Sequence, residues 1–219
     1  MTFSEDCRKE ANKWWEASFN HPFVKSIGDG LLPLDNFRYY VLQDSYYLSN
    51  FARIQSYGAG MAADLYTTSR LAAHAQGTYE AELGLHQTFS EMLTITDEER
   101  QAFQPSPTAY AYTSHMYRAV TSGHLGTVIS ALLPCYWVYL EVGERLKMCT
   151  PVEPVYQKWI EAYHSDWFRQ LVEEQIARLD QLAEESTDSQ RQLMKQNFII
   201  SSYYEYKFWD MAYKLEEWA

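Results

Sequence analysis

Residues 34–57 read LDNFRYYVLQDSYYLSNFARIQSY, and their spacing decides the fold class. Phe37, Tyr40, Val41, Asp44, Tyr47, Leu48 and Phe51 recur at intervals of three and four, which brings them to one face of an α-helix. The stripe is apolar and aromatic except for Asp44.

The helical period continues in both directions. Upstream, Thr2 with Glu5 forms a capping-box signature ahead of a segment to Phe19 that carries Trp14 and Trp15. His21-Pro22 and Gly28-Asp29-Gly30 bracket a short turn. Downstream, Gly58 and Gly60 close or loosen the helix of residues 34–57, and a further helical region runs from about Met61 towards Met92, with an interruption expected near Gly77 or Gly84. Thr96 with Glu99 repeats the capping box, and Pro105-Ser106-Pro107 marks a loop. Helices are expected over Thr108–Ser122, capped by Gly123, and over Leu125–Lys147, kinked at Pro134. After the break at residues 150–154, two helices cover about Val155–Glu185, and Thr187 with Gln190 opens a last one towards Glu217.

No repeat, low-complexity tract or linker divides the chain, and no Asn-Gly or Asp-Gly hairpin joins alternating segments. With only 9 Gly and 7 Pro in 219 residues, the many tight turns of an all-β fold have little material. The expectation is one all-α domain over residues 1–219, a bundle of about eight helices.

Composition narrows the function classes. Apolar residues at 47% exclude a disordered chain, and 18 tyrosines are an unusual load. With 29 acidic against 18 basic residues the net charge is −11, which repels phosphate backbones and anionic lipid; neither nucleic acid nor membrane is an expected partner. Residues Ala119–Leu140 lack any charge, but Thr121, Ser122, Gly123, His124, Gly126 and Thr127 leave only Val128–Leu140 strongly apolar, the length of a core helix rather than a span. Met1–Lys9 runs straight into charges, so no leader is expected there, and a cytoplasmic location follows as the expectation. Three cysteines without a CxxC pair suit neither a disulfide framework nor a thiolate zinc site.

Three residues carry candidate chemistry. Asp44 is costly within its apolar stripe unless it is hydrogen-bonded by a tyrosine, caps a neighbouring helix, or aims into a pocket. Glu205, in Ser201-Ser-Tyr-Tyr-Glu205-Tyr-Lys-Phe-Trp209, is ringed by aromatics, so desolvation should raise its pKa and let it hold a proton near neutral pH. Lys207 and Asp210 offer the plainer reading that it sits at the core's edge. Cys135 lies in the most apolar stretch, Ala131-Leu-Leu-Pro-Cys-Tyr-Trp-Val-Tyr139. Most buried cysteines are packing, and what singles this one out is Pro134 beside it. Cys7 and Cys149 read as peripheral. A di-iron carboxylate site needs two ExxH pairs, and Glu161–His164 is the only one, since Glu82 and His86 are four apart. Any of His21, His74, His86, His115, His124 or His164 could still face a pocket as a haem ligand. P-loop, G-x-G-x-x-G and G-x-S-x-G motifs do not occur.

Across its whole length the chain resembles the TenA family, also called thiaminase II or aminopyrimidine aminohydrolase. The match rests on Tyr-Val-Leu-Gln-Asp44-Ser-Tyr-Tyr47-Leu, Ala-Tyr-Ala-Tyr112-Thr-Ser-His, Leu-Leu-Pro-Cys135-Tyr-Trp-Val-Tyr139, Ile-Glu-Ala-Tyr163-His and Tyr-Tyr-Glu205-Tyr-Lys-Phe-Trp-Asp, in the family's order. The resemblance implies a haem-oxygenase-like helical fold, a homotetramer, and neither haem nor metal bound. It implies hydrolysis of 4-amino-5-aminomethyl-2-methylpyrimidine to the hydroxymethyl compound and ammonia in thiamin salvage, with thiamin cleavage as a related activity. Cys135 implies the branch with a cysteine nucleophile. Glu205 would then protonate the ring nitrogen, Asp44 read the amidine edge, and Tyr47, Tyr112, Tyr139 and Tyr163 wall the slot, with Tyr47 and Tyr163 helping the thiol. A non-catalytic pyrimidine sensor and a haem or iron enzyme of the same fold stand as alternatives.

Overall fold

The computed structural model describes the backbone of residues 1–219 and every side chain except those of Glu82 and Leu83. The elements are α1 (Phe3–Glu10), α2 (Asn12–Phe19), α3 (Pro22–Gly28), α4 (Leu34–Met61), α5 (Leu65–Ala81), a π-helical turn (Glu82–His86), α6 (Gln87–Leu93), α7 (Asp97–Ala102), α8 (Pro107–Val120), α9 (Leu125–Leu146), α10 (Pro154–Tyr163), α11 (Asp166–Glu184) and α12 (Asp188–Lys214). The class is all-α, and the excess over about eight helices comes from short helices and from splitting. Helix α3 occupies the stretch between Pro22 and Gly28 expected as a turn, because Pro22 at the first position and the His21 cap start a helix there, and α7 follows the Thr96 capping box. The expected first helix divides at Ala11, and the region after Met61 divides at the π turn that contains Gly84, while α5 runs through Gly77.

Helix starts follow the local chemistry. Thr2, Thr96 and Thr187 each accept from the backbone N–H three residues on, and Glu5, Glu99 and Gln190 return the bond. Gly123, at φ +69°, follows α8 in the left-handed conformation that glycine takes without a steric penalty. Helix α4 ends at Met61, one residue past Gly60, and Pro134 sits in the interior of α9, which continues through it from Leu125 to Leu146. Beside that proline, the Ser201 hydroxyl donates to the Ala131 carbonyl at 2.8 Å and helps satisfy the local backbone.

Helix α9 is the axis, packed by α12, α11, α8, α10 and α4, with α5 layered against α4. It is long and apolar enough to cross a bilayer, yet 83% of its apolar window is buried inside the protein, as a core helix requires. Trp15, Trp159, Trp209, Tyr40, Tyr112 and Tyr156 are among the fully buried rings, each contributing roughly 1.5–3 kcal/mol through burial. Their polar tips are matched except that of Trp209, whose Nε1 is buried without a hydrogen bond. Trp159 Nε1 donates to the Tyr40 hydroxyl at 3.2 Å, Tyr40 and Tyr139 share a bond of 3.2 Å, and Tyr156 donates to the Leu32 carbonyl at 2.6 Å. Much of the tyrosine load is thus core whose hydroxyls are paired, with the buried Tyr47 hydroxyl an exception.

Cys7 is not peripheral. The 3.6-residue period of α1 turns Ser4, Cys7 and Ala11 onto one fully buried face, while Glu5, Asp6, Arg8 and Lys9 take the others, and desolvation pushes the Cys7 thiol up to about 12. Cys149 is half-buried.

A close backbone approach fixes the end of α10. A Cβ on Gly143 of α9 would stand 2.6 Å from the carbonyl carbon of Tyr163 and 2.7 Å from its oxygen. Gly143→Ala therefore forces backbone apart rather than a side chain. The expected cost is about 1–3 kcal/mol, measured as a lowered denaturation midpoint.

Candidate active site

Asp44 of α4, Cys135 and Tyr139 of α9, and Tyr163 at the end of α10 line one cavity of about 110 Å³. Cavities of about 150 Å³ take up benzene, so the space is of the order a six-membered ring needs. The walls are mostly apolar, supplied by Leu48, Phe51, Leu85, Phe168 and Leu171, with Tyr136 and Thr78 among the remainder. Tyr139 and Tyr163 meet at a centroid distance of 4.7 Å.

Tyr47, Tyr112 and Glu205 stand one layer deeper, behind this lining. Tyr112 of α8 donates to Glu205 Oε1 at 2.5 Å, and the Tyr47 ring packs on Tyr112 at 4.9 Å. Glu205 is 2% exposed, which rejects the reading of a carboxylate at the core's edge. Lys207 and Asp210 pair with each other instead, at 2.7 Å. Burial pushes the Glu205 carboxyl up to about 8; the Tyr112 hydrogen bond opposes this and the Asp44 charge adds to it. At neutral pH Glu205 is therefore mainly a neutral acid.

Cys135 lies deep in the protein but has access to the cavity. Desolvation holds its thiol well above the ordinary range, reinforced by charge on Glu205 and Asp44 and opposed by Tyr47. The Tyr47 hydroxyl is itself buried without a conventional hydrogen bond, next to that sulfur.

Asp44 has a partner that sequence reading did not single out. The π turn brings His86 to it, with Nε2 3.1 Å from Oδ2, while His86 Nδ1 lies 2.7 Å from the Ser45 hydroxyl. A carboxylate only accepts, so Nε2 carries the proton and, in the neutral ring, Nδ1 accepts from Ser45. In the sequence His86 is only one of six histidines that could face a pocket. Of those six it alone lines the cavity among the described residues. The others are occupied elsewhere: His21 accepts from the Phe23 N–H, His74 joins Tyr136 and Gln175, and His164 bonds the Ile160 carbonyl. Glycines near positions 77 and 84 were the available hint of irregular backbone around His86, since π turns gather at functional sites.

A thiol and a carboxylate at a ring-sized, mostly apolar cavity, with a buried carboxyl behind them, make this a helical-bundle protein with an enclosed site for a small molecule. Residues 8–215 match the model of the TENA/THI-4/PQQC family, and the chain belongs to it. It is 65% identical over its full length to the aminopyrimidine aminohydrolase of Bacillus subtilis, covering 93% of that protein. It is 32% identical to the aminopyrimidine aminohydrolase of Helicobacter pylori, over 98% of this chain and 100% of that one. Among solved structures, the TenA homologue protein from P. horikoshii superposes with a TM-score of 0.89 at 27% identity, covering 98% of this chain and 99% of the other. A Shewanella denitrificans domain described as having a heme oxygenase-like fold superposes at 0.71 with 16% identity, over 96% of this chain and 92% of that one, a likeness of fold alone.

Proposed function

We propose that the protein is an aminopyrimidine aminohydrolase of thiamin salvage, acting on a pyrimidine bound in the Asp44–Cys135 cavity. The observation that carries this is Glu205, a fully buried carboxyl hydrogen-bonded by Tyr112 behind the cavity lining, where burial favours its acid form. A neutral acid can protonate a ring nitrogen and then take the proton back, which suits reversible addition to an electron-poor ring.

The chemistry follows. The Cys135 thiol passes its proton to the substrate's amine, and the sulfur bonds to the ring carbon next to a ring nitrogen. The displaced π pair goes to that nitrogen, which takes the Glu205 proton. The ring then returns electrons, and the exocyclic C–N bond breaks with its pair leaving on ammonia. Water adds at the methylene, and the C–S bond then breaks with its pair on sulfur, which takes the proton that the added water gives up. The ring nitrogen returns its proton to Glu205, and the N–H pair re-forms the ring double bond. One displacement becomes two easier steps.

Asp44 faces the exocyclic amino group and adjacent nitrogen, held in place by His86, while Tyr139 and Tyr163 wall the ring and Tyr47 and Tyr112 serve the thiol and the acid. Asp44→Asn keeps an acceptor but alters the donor pattern towards the ring. It should weaken substrate and transition state alike, appearing mainly as a raised KM in steady-state kinetics. The homotetramer and cytoplasmic location belong to the same proposal. Exposed Tyr57, Leu65 and Tyr66 around the α4–α5 corner support association, which sedimentation equilibrium tests.

The deciding experiment follows ammonia release from the aminomethylpyrimidine, with its formylated precursor and thiamin assayed alongside. Binding without turnover of any of the three would replace the hydrolase by a pyrimidine sensor.

A further inference from the structure

The cavity has a closed end and an open one. Asp44, Phe51, Tyr136 and Tyr139 are buried, whereas Ala81 and Trp167 are exposed and Gly77 is half-buried. A substituent on a ring held at Asp44 and Cys135 must therefore leave between α5 and the start of α11.

Gly77 stands in that opening. Glycine in a helix lowers stability relative to alanine, so its presence calls for a reason. Backbone conformation supplies none, because α5 is regular there and Gly77 has no positive φ. Packing supplies none either: a Cβ at 77 would meet a single atom, Trp167 Cζ2, at an ordinary contact distance of 3.5 Å. What the missing side chain leaves is room beside the Trp167 ring. That indole is 51% exposed, a large apolar face left at the mouth of the cavity.

We propose that Gly77 and Trp167 determine which substituent the site accepts on the pyrimidine's exocyclic methylene. The space at residue 77 admits a flat ring as large as a thiazolium, and the indole face of Trp167 receives it. A cationic ring gains further from the aromatic quadrupole. The compact aminomethyl group does not extend that far, so the two substrate sizes depend on residue 77 to different degrees. This inference rests on the pyrimidine reading of the cavity.

The test compares kcat/KM for the aminomethylpyrimidine and for thiamin in the parent protein, Gly77→Ala, Gly77→Leu and Gly60→Ala. Gly60 lies on α4 outside the cavity, with nothing within 4 Å of an added Cβ. Gly77→Leu should shift the ratio of the two constants against thiamin by about tenfold or more, the scale at which pockets discriminate by a methylene or two. Gly77→Ala should shift it the same way by less, with a melting temperature equal to or above the parent's, and Gly60→Ala should keep the ratio. Equal losses on both substrates, or an unchanged ratio in both Gly77 variants, would overturn the proposal. If the parent protein turns over neither compound, the catalytic reading fails by itself. Calorimetric Kd values for hydroxymethylpyrimidine and thiamin then decide the role of residue 77 by the same ratio.

Discussion

Cys135→Ser should abolish turnover of the aminomethylpyrimidine while leaving its binding near the parent value. The hydroxyl nearly matches the thiol in shape and keeps the cavity lining intact, but it is a far weaker nucleophile at neutral pH. Loss of a nucleophile costs on the order of 10⁴–10⁶-fold in kcat, whereas the ring's contacts with Asp44, Tyr139 and Tyr163 remain. Single-turnover ammonia release and calorimetric titration separate the two effects. Near-parent activity would reduce Cys135 to packing and remove the covalent route. The other thiols act as controls of different kinds. Cys149→Ser should be silent in rate, and Cys7→Ser should leave the rate alone while lowering stability, because Cys7 is fully buried.

Glu205→Gln should lower kcat by about 10²–10⁴-fold with a smaller change in KM. The amide keeps the size of the acid but has no proton to give. The pH profile adds an independent readout. Because the folded-state pKa is raised to about 8, the acid form is present at neutral pH and is lost as pH rises through that value. The parent kcat should therefore hold on the acid side of about 8 and fall above it. In the Gln variant the residual rate should lack that alkaline fall. Parent-like turnover in Glu205→Gln would transfer the proton-donor role to Tyr112 or water. A profile that rises through pH 8 would instead make deprotonation of Cys135 the controlling step.

The Gly77 comparison tests a separate part of the cavity. The two amino-acid changes above act at its closed end and should depress every substrate, whereas residue 77 acts at the mouth and should change the order of substrates.

Much of this was legible in the sequence because it is a property of single helices. A period of three and four is local, so the all-α class, the capping threonines at 2, 96 and 187, and the buried faces of α4, α9 and α12 could be read from spacing. Asp44, Cys135 and Glu205 stood out for the same reason, each being a polar or reactive group on an apolar stripe.

Periodicity tells which face is buried but not what it meets. Tyr47, Tyr112, Tyr139 and Tyr163 look alike along the chain, yet Tyr139 and Tyr163 line the cavity while Tyr47 and Tyr112 stand behind it. His86 reaches Asp44 only because a π turn rotates the chain between α5 and α6, and a turn with one extra residue leaves no periodic trace of where it points. Charged neighbours disguised Cys7, whose burial is set by the face that α1 presents to α11 and α12. The composition of each helix thus determined the class and the reactive groups. The meeting of Asp44 and Cys135 in one cavity with Glu205 behind it, and the desolvation that favours the acid form of Glu205 at neutral pH, were decided by packing between helices far apart in sequence, because desolvation depends on the neighbours in space.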